Sequence, residues 1–141
     1  MKLYVQEPGT DRLLRIANDP AENRIVVLAL SPVEIRSAIR RRQRAGDINQ
    51  DLASLVLDAL QRHFESRFIR QPLNDIVLDE ALEMVDRYAL RAYDAIQLAG
   101  CLAFKIAAGN EVPTFVCADQ QLLAAARSEL LPVLDPCAEI Q

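Results

Sequence analysis

Short apolar runs alternate along this chain with longer runs in which apolar residues recur at helical spacing. Residues 25–30 are continuously aliphatic and rich in β-branched side chains, which is typical of a central strand buried on both faces. Shorter candidate strands occupy residues 68–70, 113–118 and 131–136. Because strands that alternate with helices usually form a parallel sheet covered by those helices, the pattern predicts an α/β fold.

Five amphipathic segments lie next to these strands and are predicted to be helices. They run from residue 31 to about 46, from 47 through 64, from about 75 to 90, from 92 to 109 and from 119 to 127. The positions expected to face the core are Leu52, Leu55, Val56, Ala59, Leu60 and Phe64 in the second helix, Leu78, Ala81, Leu82 and Val85 in the third, and Ala92, Ala95, Ile96, Ala99, Leu102, Ala103 and Ile106 in the fourth.

The first of these helices has a recognisable start. Ser31 is predicted to be its N-cap, Pro32 its first helical residue, and Glu34 the glutamate that completes a capping box.

Composition describes one ordinary globular domain, residues 1–141. The chain carries 16 basic and 20 acidic side chains, which gives a net charge of −4. Such a balance disfavours passive binding to nucleic acid, so any RNA contact would need a local basic patch. No apolar stretch approaches the roughly 20 residues of a membrane span, and the N-terminus lacks a secretion signal pattern. We therefore expect a cytoplasmic protein without a membrane segment.

The three cysteines, Cys101, Cys117 and Cys137, are far apart and in no CxxC spacing. This arrangement argues against a disulfide framework or a thiolate zinc site. We expect them to be small buried apolar residues.

Three carboxylates occupy equivalent places in the predicted fold. Glu34 lies one turn into the helix after residues 25–30, Asp94 lies in the first turn of the helix from residue 92, and Asp119 follows the strand at 113–118. In an open α/β sheet, ligands bind beyond the carboxyl ends of the strands. Glu34 and Asp119 should therefore share one edge of the sheet, and Asp94 joins them if its helix starts there.

Each acid also has a purely structural interpretation. Glu34 completes a capping box, Asp119 is an ordinary N-cap, and Asp94 is an acid stabilised by the positive end of a helix dipole. If the three converge, their mutual repulsion calls for a cation or a shared proton, and oxygen ligands select Mg²⁺ or Mn²⁺. A cation held in this way supports metal-assisted hydrolysis of a phosphodiester.

At these acids the sequence resembles the PIN-domain ribonucleases, and specifically the VapC-type toxins of bacterial toxin–antitoxin pairs. The matching segments are residues 31–38, 90–99 and 115–126, and they follow in the family's order over nearly the whole chain. The middle segment, Leu-Arg-Ala-Tyr-Asp-Ala-Ile-Gln-Leu-Ala, is the most specific of the three.

The resemblance implies a PIN-like three-layer α/β/α domain with a mostly parallel central sheet. It implies RNA cleavage that depends on Mg²⁺ or Mn²⁺, with Glu34, Asp94 and Asp119 as metal ligands and catalytic acids. It also implies a homodimer, and a cognate VapB-type antitoxin that blocks the active-site cleft.

The family's first acidic position has no counterpart in this sequence. In the family, the first strand ends in an aspartate just before the helix whose tail residues 2–9 resemble. Either the start is truncated and residue 1 falls within that helix, or residues 1–5 are the strand and an internal stretch is missing. A first strand that is missing or altered leaves backbone groups of its neighbours unpaired unless another segment, such as one from a second subunit, takes its place. Loss of the aspartate predicts weaker metal binding and reduced or absent cleavage.

Arginines recur at residues 36, 40 and 44, with two more at 41 and 42. One interpretation is a solvated helix face. The other is a track for phosphates, whose signature is salt-sensitive RNA binding.

Three functions remain open from the residues. The first is a metal-dependent endoribonuclease of the toxin type. The second is a nuclease-inactive PIN module that binds an antitoxin or RNA, because the first catalytic aspartate is absent. The third is a generic α/β binding domain whose three acids are unrelated helix caps.

Overall fold

The computed structural model of this protein describes residues 6–139. The chain divides into two compact units, Met1–Arg70 and Gln71–Gln141. The two interpretations of residues 1–5 concern a segment outside the described residues.

Three helices and two short strands make up the first unit as far as it is described. They are α1 (Thr10–Ala17), β1 (Val26–Leu28), α2 (Ser31–Arg44), α3 (Gln50–Ser66) and β2 (Ile69–Gln71), whose last residue belongs to the second unit. Helix α1 was not among the predicted helices. It begins after Gly9, whose φ of 88° suits a residue without a Cβ.

Helices α2 and α3 form a helical hairpin, and their apolar faces make the core of this unit. Its buried members are Ile39, Ile48, Ala53, Val56, Leu57, Leu60 and Phe64. Leu52 and Leu55 were predicted to face this core, and that prediction is wrong because both are exposed, Leu55 by 67%. Helix α3 carries apolar residues on more than one face, so spacing alone did not single out the buried one.

The capping box predicted at the start of α2 is also wrong. Leu30 is the N-cap, and it offers no side-chain cap hydrogen bond. Its carbonyl oxygen accepts from the backbone N–H groups of Val33 (3.1 Å) and Glu34 (3.3 Å). Because Leu30 adopts a helical conformation, with φ −77° and ψ −19°, the helix begins one residue earlier than predicted and Ser31 already lies in its first turn.

Strand β1 pairs with β2, and the backbone N–H of Ile69 donates to the carbonyl oxygen of Ile25 at 2.9 Å. Within residues 6–139, β1 has no other strand neighbour and spans three residues, fewer than the predicted 25–30.

Three helices and two strands make up the described part of the second unit. They are α4 (Asp75–Arg87), α5 (Ala92–Ala108), β3 (Phe115–Val116), α6 (Gln120–Ser128) and β4 (Val133–Leu134). Strands β3 and β4 are parallel, with Phe115 opposite Val133 and Val116 opposite Leu134.

Helix α4 packs on α5, and its buried residues are Val77, Ala81 and Met84. Only Ala81 of the predicted inward set is buried, and Leu78, Leu82 and Val85 are exposed, so that prediction is wrong for these three. In α5 the centre of the predicted face is correct, with Ala95, Ala99, Leu102 and Ala103 buried, whereas Ala92 and Ile106 at its ends are exposed.

The fold is therefore mixed α/β and mostly helical, with short strands, which agrees with the predicted class. The strands of residues 6–139 form two separate two-stranded sheets, one built on β1 and one on β3. No helix within that range combines the length and the apolar character that a membrane crossing requires.

Candidate active site

The carboxyl ends of β3 and β4 meet at one edge of their sheet, because the strands are parallel. Asp119 lies just beyond β3 and is the N-cap of α6. Its Oδ1 accepts a hydrogen bond from the backbone N–H of Leu122 at 2.8 Å. The predicted N-cap is confirmed, and this bond leaves Oδ2 outside the cap while the side chain as a whole stays exposed.

Asp94 lies in the first turn of α5, as predicted, and is half-buried. The N-cap of this helix is Arg91, which makes no side-chain cap hydrogen bond. The partial positive charge at the start of α5 is therefore available to a nearby anion such as the Asp94 carboxylate.

The negative charges of both acids act on the half-buried thiol of Cys117. Burial is the main reason that its pKa is raised, and the negative charges of Asp119 and Asp94 both raise the pKa further. The backbone N–H of Asp119 donates to Cys117 Sγ at 3.2 Å and opposes this rise. Both carboxylates thus lie within electrostatic range of the Cys117 sulfur atom.

Two glutamine side chains tie the start of α6 to its surroundings. Gln121 Nε2 donates to the carbonyl oxygen of Ala89, in the loop before α5, at 2.6 Å. Gln120 Nε2 donates to Asp135 Oδ2, just after β4, at 2.7 Å. The first bond holds the start of α6, capped by Asp119, against the loop that leads to Asp94, and the second holds it against the end of β4.

A polar cluster at the other end of α6 fixes that helix to α4. Glu129 Oε1 accepts from Tyr88 OH at 2.7 Å and from Arg87 Nη1. Burial alone would raise the pKa of Glu129, but the hydrogen bonds from Tyr88 and Arg87, together with the charge of Arg87, outweigh burial and lower it. The cluster supports the orientation of α6 and lies outside the candidate site.

Glu34 belongs to the first unit. It lies in the first turn of α2, as predicted, and it is exposed. Because the capping box is not formed, the helix dipole is the structural role that remains for this carboxylate.

The donor set of the second unit suits a hard cation. Asp94 and Asp119 offer carboxylate oxygens, and the raised pKa of Cys117 keeps its sulfur protonated, which disfavours thiophilic metals. Mg²⁺ is commonly held by one or two carboxylates together with water and substrate phosphates, and two acids satisfy that requirement. Within residues 6–139 there is no group of three or more histidine, cysteine, aspartate or glutamate side chains arranged to hold a metal ion.

Sequence reasoning missed two residues at this edge. Cys117 was assigned to the core, and Asp135 was not considered. Asp135 directly follows β4, just as Asp119 follows β3, and that position was the signal available for it. Its two oxygens accept from Gln120 Nε2 and from the backbone N–H of Cys137 (2.8 Å), so it organises the edge.

The expectation that all three cysteines are buried is wrong, since Cys101 and Cys117 are half-buried and Cys137 is exposed. Burial raises the pKa of Cys101 to about 11 although the charge of Lys105 acts against it. Cys101 is therefore an unreactive thiol at neutral pH.

Comparison of this chain with protein-family models gives no match, and comparison with curated proteins gives none either. The candidate site therefore rests on its own geometry and chemistry.

Proposed function

We propose that this protein is a metal-dependent endoribonuclease of the PIN type, in which Asp94 and Asp119 hold Mg²⁺ or Mn²⁺. The observation that carries the proposal is the hydrogen bond from Gln121 Nε2 to the carbonyl oxygen of Ala89 (2.6 Å), which joins the start of α6, capped by Asp119, to the loop that leads to Asp94. Ligand sites in α/β proteins lie beyond the carboxyl ends of strands, where Asp119 follows β3. The resemblance of residues 31–38, 90–99 and 115–126 to PIN ribonucleases supplies the reaction.

Each residue has a distinct task in this proposal. The N-cap hydrogen bond from the Leu122 N–H fixes the orientation of the Asp119 carboxylate. Its second oxygen is therefore already positioned for a cation, and binding costs little side-chain entropy. Asp94 is half-buried, which lowers the local dielectric and strengthens its attraction for a cation. The starts of α5 and α6 carry partial positive charge that stabilises the phosphodiester anion. A bound Mg²⁺ or Mn²⁺ supplies Lewis-acid activation of water and neutralises charge that develops on the phosphate.

The wider setting of the proposal comes from the resemblance. It comprises a three-layer α/β/α arrangement, a homodimer, a cytoplasmic location, and inhibition by a VapB-type antitoxin. In this setting the protein is the toxin of a toxin–antitoxin pair.

An RNA cleavage assay tests the proposal. Purified protein is incubated with a labelled single-stranded RNA and Mg²⁺ or Mn²⁺, with and without EDTA. We expect cleavage that requires the cation and that falls at least 100-fold in Asp94→Asn, because removing a charged ligand commonly costs that much transition-state stabilisation.

Asp86→Asn is the matched control, since Asp86 is an exposed acid on α4. It should cleave as the wild type does. Cleavage that survives EDTA, or that is unchanged in Asp94→Asn, would contradict the proposed metal site.

The second candidate is a nuclease-inactive PIN module that binds RNA or an antitoxin. The observation that favours it is the concentration of five arginines on α2, which can bind RNA phosphates without a metal. Absence of cation-dependent cleavage, together with retained RNA binding, would establish this alternative in place of the first.

A further inference from the structure

Helix α2 concentrates positive charge in an acidic protein. It carries five arginines and one glutamate in 14 residues, whereas the whole chain has a net charge of −4. After Glu34, at its first turn, no acidic residue occurs on the helix.

The structure describes how these arginines are partnered. Arg42 Nη1 pairs with Glu7 at 3.1 Å, and its Nε lies 4.0 Å from Asp47. Arg40 Nη1 donates to the uncharged Gln43 side chain at 2.7 Å. Only one of the five charges is therefore neutralised by these contacts.

The guanidinium groups of Arg36, Arg41 and Arg44 are exposed and make no ion pair or hydrogen bond with any residue in the described range 6–139. Together with Arg40 they form what we call the arginine face. The opposite side of α2 is buried through Ile39 against the hairpin core.

The helix dipole accounts for only part of this pattern. It stabilises Arg41, Arg42 and Arg44 in the last turn, where the carbonyl groups are free. Arg36 and Arg40 precede that turn. Arg36 also repels Arg40, and Arg40 repels Arg44, because like charges four residues apart on a helix destabilise it. A polyanion lying on this face would remove that repulsion.

The spacing and chemistry of the face suit phosphates. Arg36, Arg40 and Arg44 follow one another at about 6 Å along the helix axis, comparable with the separation of neighbouring phosphates on one nucleic-acid strand. The planar guanidinium binds phosphate oxygens through two parallel hydrogen bonds. No aromatic residue occurs on α2, so bases cannot stack there and the contacts would be with the backbone.

We propose that the arginine face of α2 binds the phosphate backbone of single-stranded RNA, independently of base sequence. The choice of RNA rests on the proposed nuclease function. An acidic protein segment would also pair with arginines, but the spacing of its carboxylates varies with its sequence, whereas every nucleotide of RNA carries a phosphate at a regular separation that evenly spaced arginines can match.

Fluorescence anisotropy with a labelled single-stranded RNA of mixed sequence tests the inference. EDTA is present throughout, so that no cleavage occurs and catalysis plays no part in the readout. The double variant Arg36→Gln/Arg44→Gln removes two charges from the face while keeping residues that favour helices. The control Arg62→Gln/Arg127→Gln removes two exposed arginines from other helices, and the net charge changes equally.

We expect the wild type to bind RNA with an affinity that falls steeply with salt. Each phosphate contact contributes about 0.7 to the slope of log affinity against log salt for single strands, so the double variant should lose about 1.4 from that slope. Its affinity at low salt should fall at least tenfold, while the control pair stays within about twofold of the wild type. Circular dichroism verifies that both variants are folded.

Equal losses in the two double variants would overturn the inference, since they would show a general charge effect. Binding of poly-L-glutamate as tightly as RNA through the same arginines would also overturn it, in favour of an acidic protein partner. If the wild type cleaves RNA and Arg36→Gln/Arg44→Gln binds RNA as tightly as the wild type, only this inference is contradicted. If the protein binds RNA through the arginine face but cleaves no RNA, only the nuclease proposal is contradicted.

Discussion

Asp119 combines a structural and a chemical role in a single carboxylate. One carboxylate oxygen accepts a hydrogen bond from the Leu122 N–H and so caps the start of α6. The negative charge of the same carboxylate raises the pKa of Cys117. The two roles are separable, because asparagine caps a helix about as well as aspartate but carries no charge.

We predict that Asp119→Ala lowers the free energy of unfolding by about 1 kcal/mol, since the N-cap hydrogen bond is lost. Asp119→Asn should keep the cap and stay within a few tenths of a kcal/mol of the wild type, yet lose cation-dependent RNA cleavage. Urea denaturation measures the first effect and the cleavage assay the second. Equal stability of the alanine and asparagine variants would contradict the capping role.

Single residues differ in how well sequence predicts them. Asp119 was predicted to be an N-cap because it directly precedes an amphipathic run, and it accepts the expected backbone hydrogen bond. Ser31 stands in a comparable sequence context and is not a cap, because Leu30 before it already adopts helical geometry. The path of the backbone after β1 determines where α2 begins, and the residue types at these positions do not specify that path.

At the scale of elements, sequence predicted where the helices lie better than which face each one buries. Helix α5 has a clear small-residue face, and its centre was predicted correctly. Helix α4 has a broad apolar side, so Leu78 and Leu82 fitted the helical period as well as Val77 and Met84 do. Only the packing of α5 against α4 decides between these faces.

The joint between α4 and α6 should make stability depend on pH. The pKa of Glu129 is lowered, so its ionised form is the one that stabilises the fold. That contribution is present above the ordinary glutamate pKa of about 4.3 and is lost as pH falls through the lowered value of the folded state. We predict that Glu129→Gln is less stable than the wild type at pH 7 and that the difference shrinks below about pH 4.

Glu83→Gln is the matched control, because Glu83 also pairs with Arg87 but its side chain is 65% exposed against 16% for Glu129. An exposed pair contributes little, so this variant should follow the wild type across the pH range. Glu80 acts with the opposite sign, since burial and the charges of Glu83 and Glu129 raise its pKa. A stability difference for Glu129→Gln that stays constant down to pH 3 would contradict the account.

At the scale of the whole molecule, the α/β class followed from alternation alone, and the arrangement of strands did not. Residues 25–30 were predicted to form a central strand, and the described sheet there contains β1 and β2 only. An aliphatic run indicates that a segment is buried, but it does not specify which strands or helices cover that segment. The same limit applies to the site, where spacing indicated three candidate acids, and only the fold reveals that the charges of Asp94 and Asp119 both raise the pKa of Cys117.

The central claim is that Asp94 and Asp119 form one cation-binding site beside Cys117. The pKa of this thiol tests the claim most directly, measured as the pH dependence of alkylation of the Cys117 peptide by mass spectrometry. We predict that Asp94→Asn lowers the pKa of Cys117, because a negative charge that disfavours the thiolate is removed. Mg²⁺ should lower it in the wild type and have a smaller effect in Asp94→Asn, while Asp86→Asn behaves as the wild type does. A Cys117 pKa that responds neither to Asp94→Asn nor to Mg²⁺ would contradict the account.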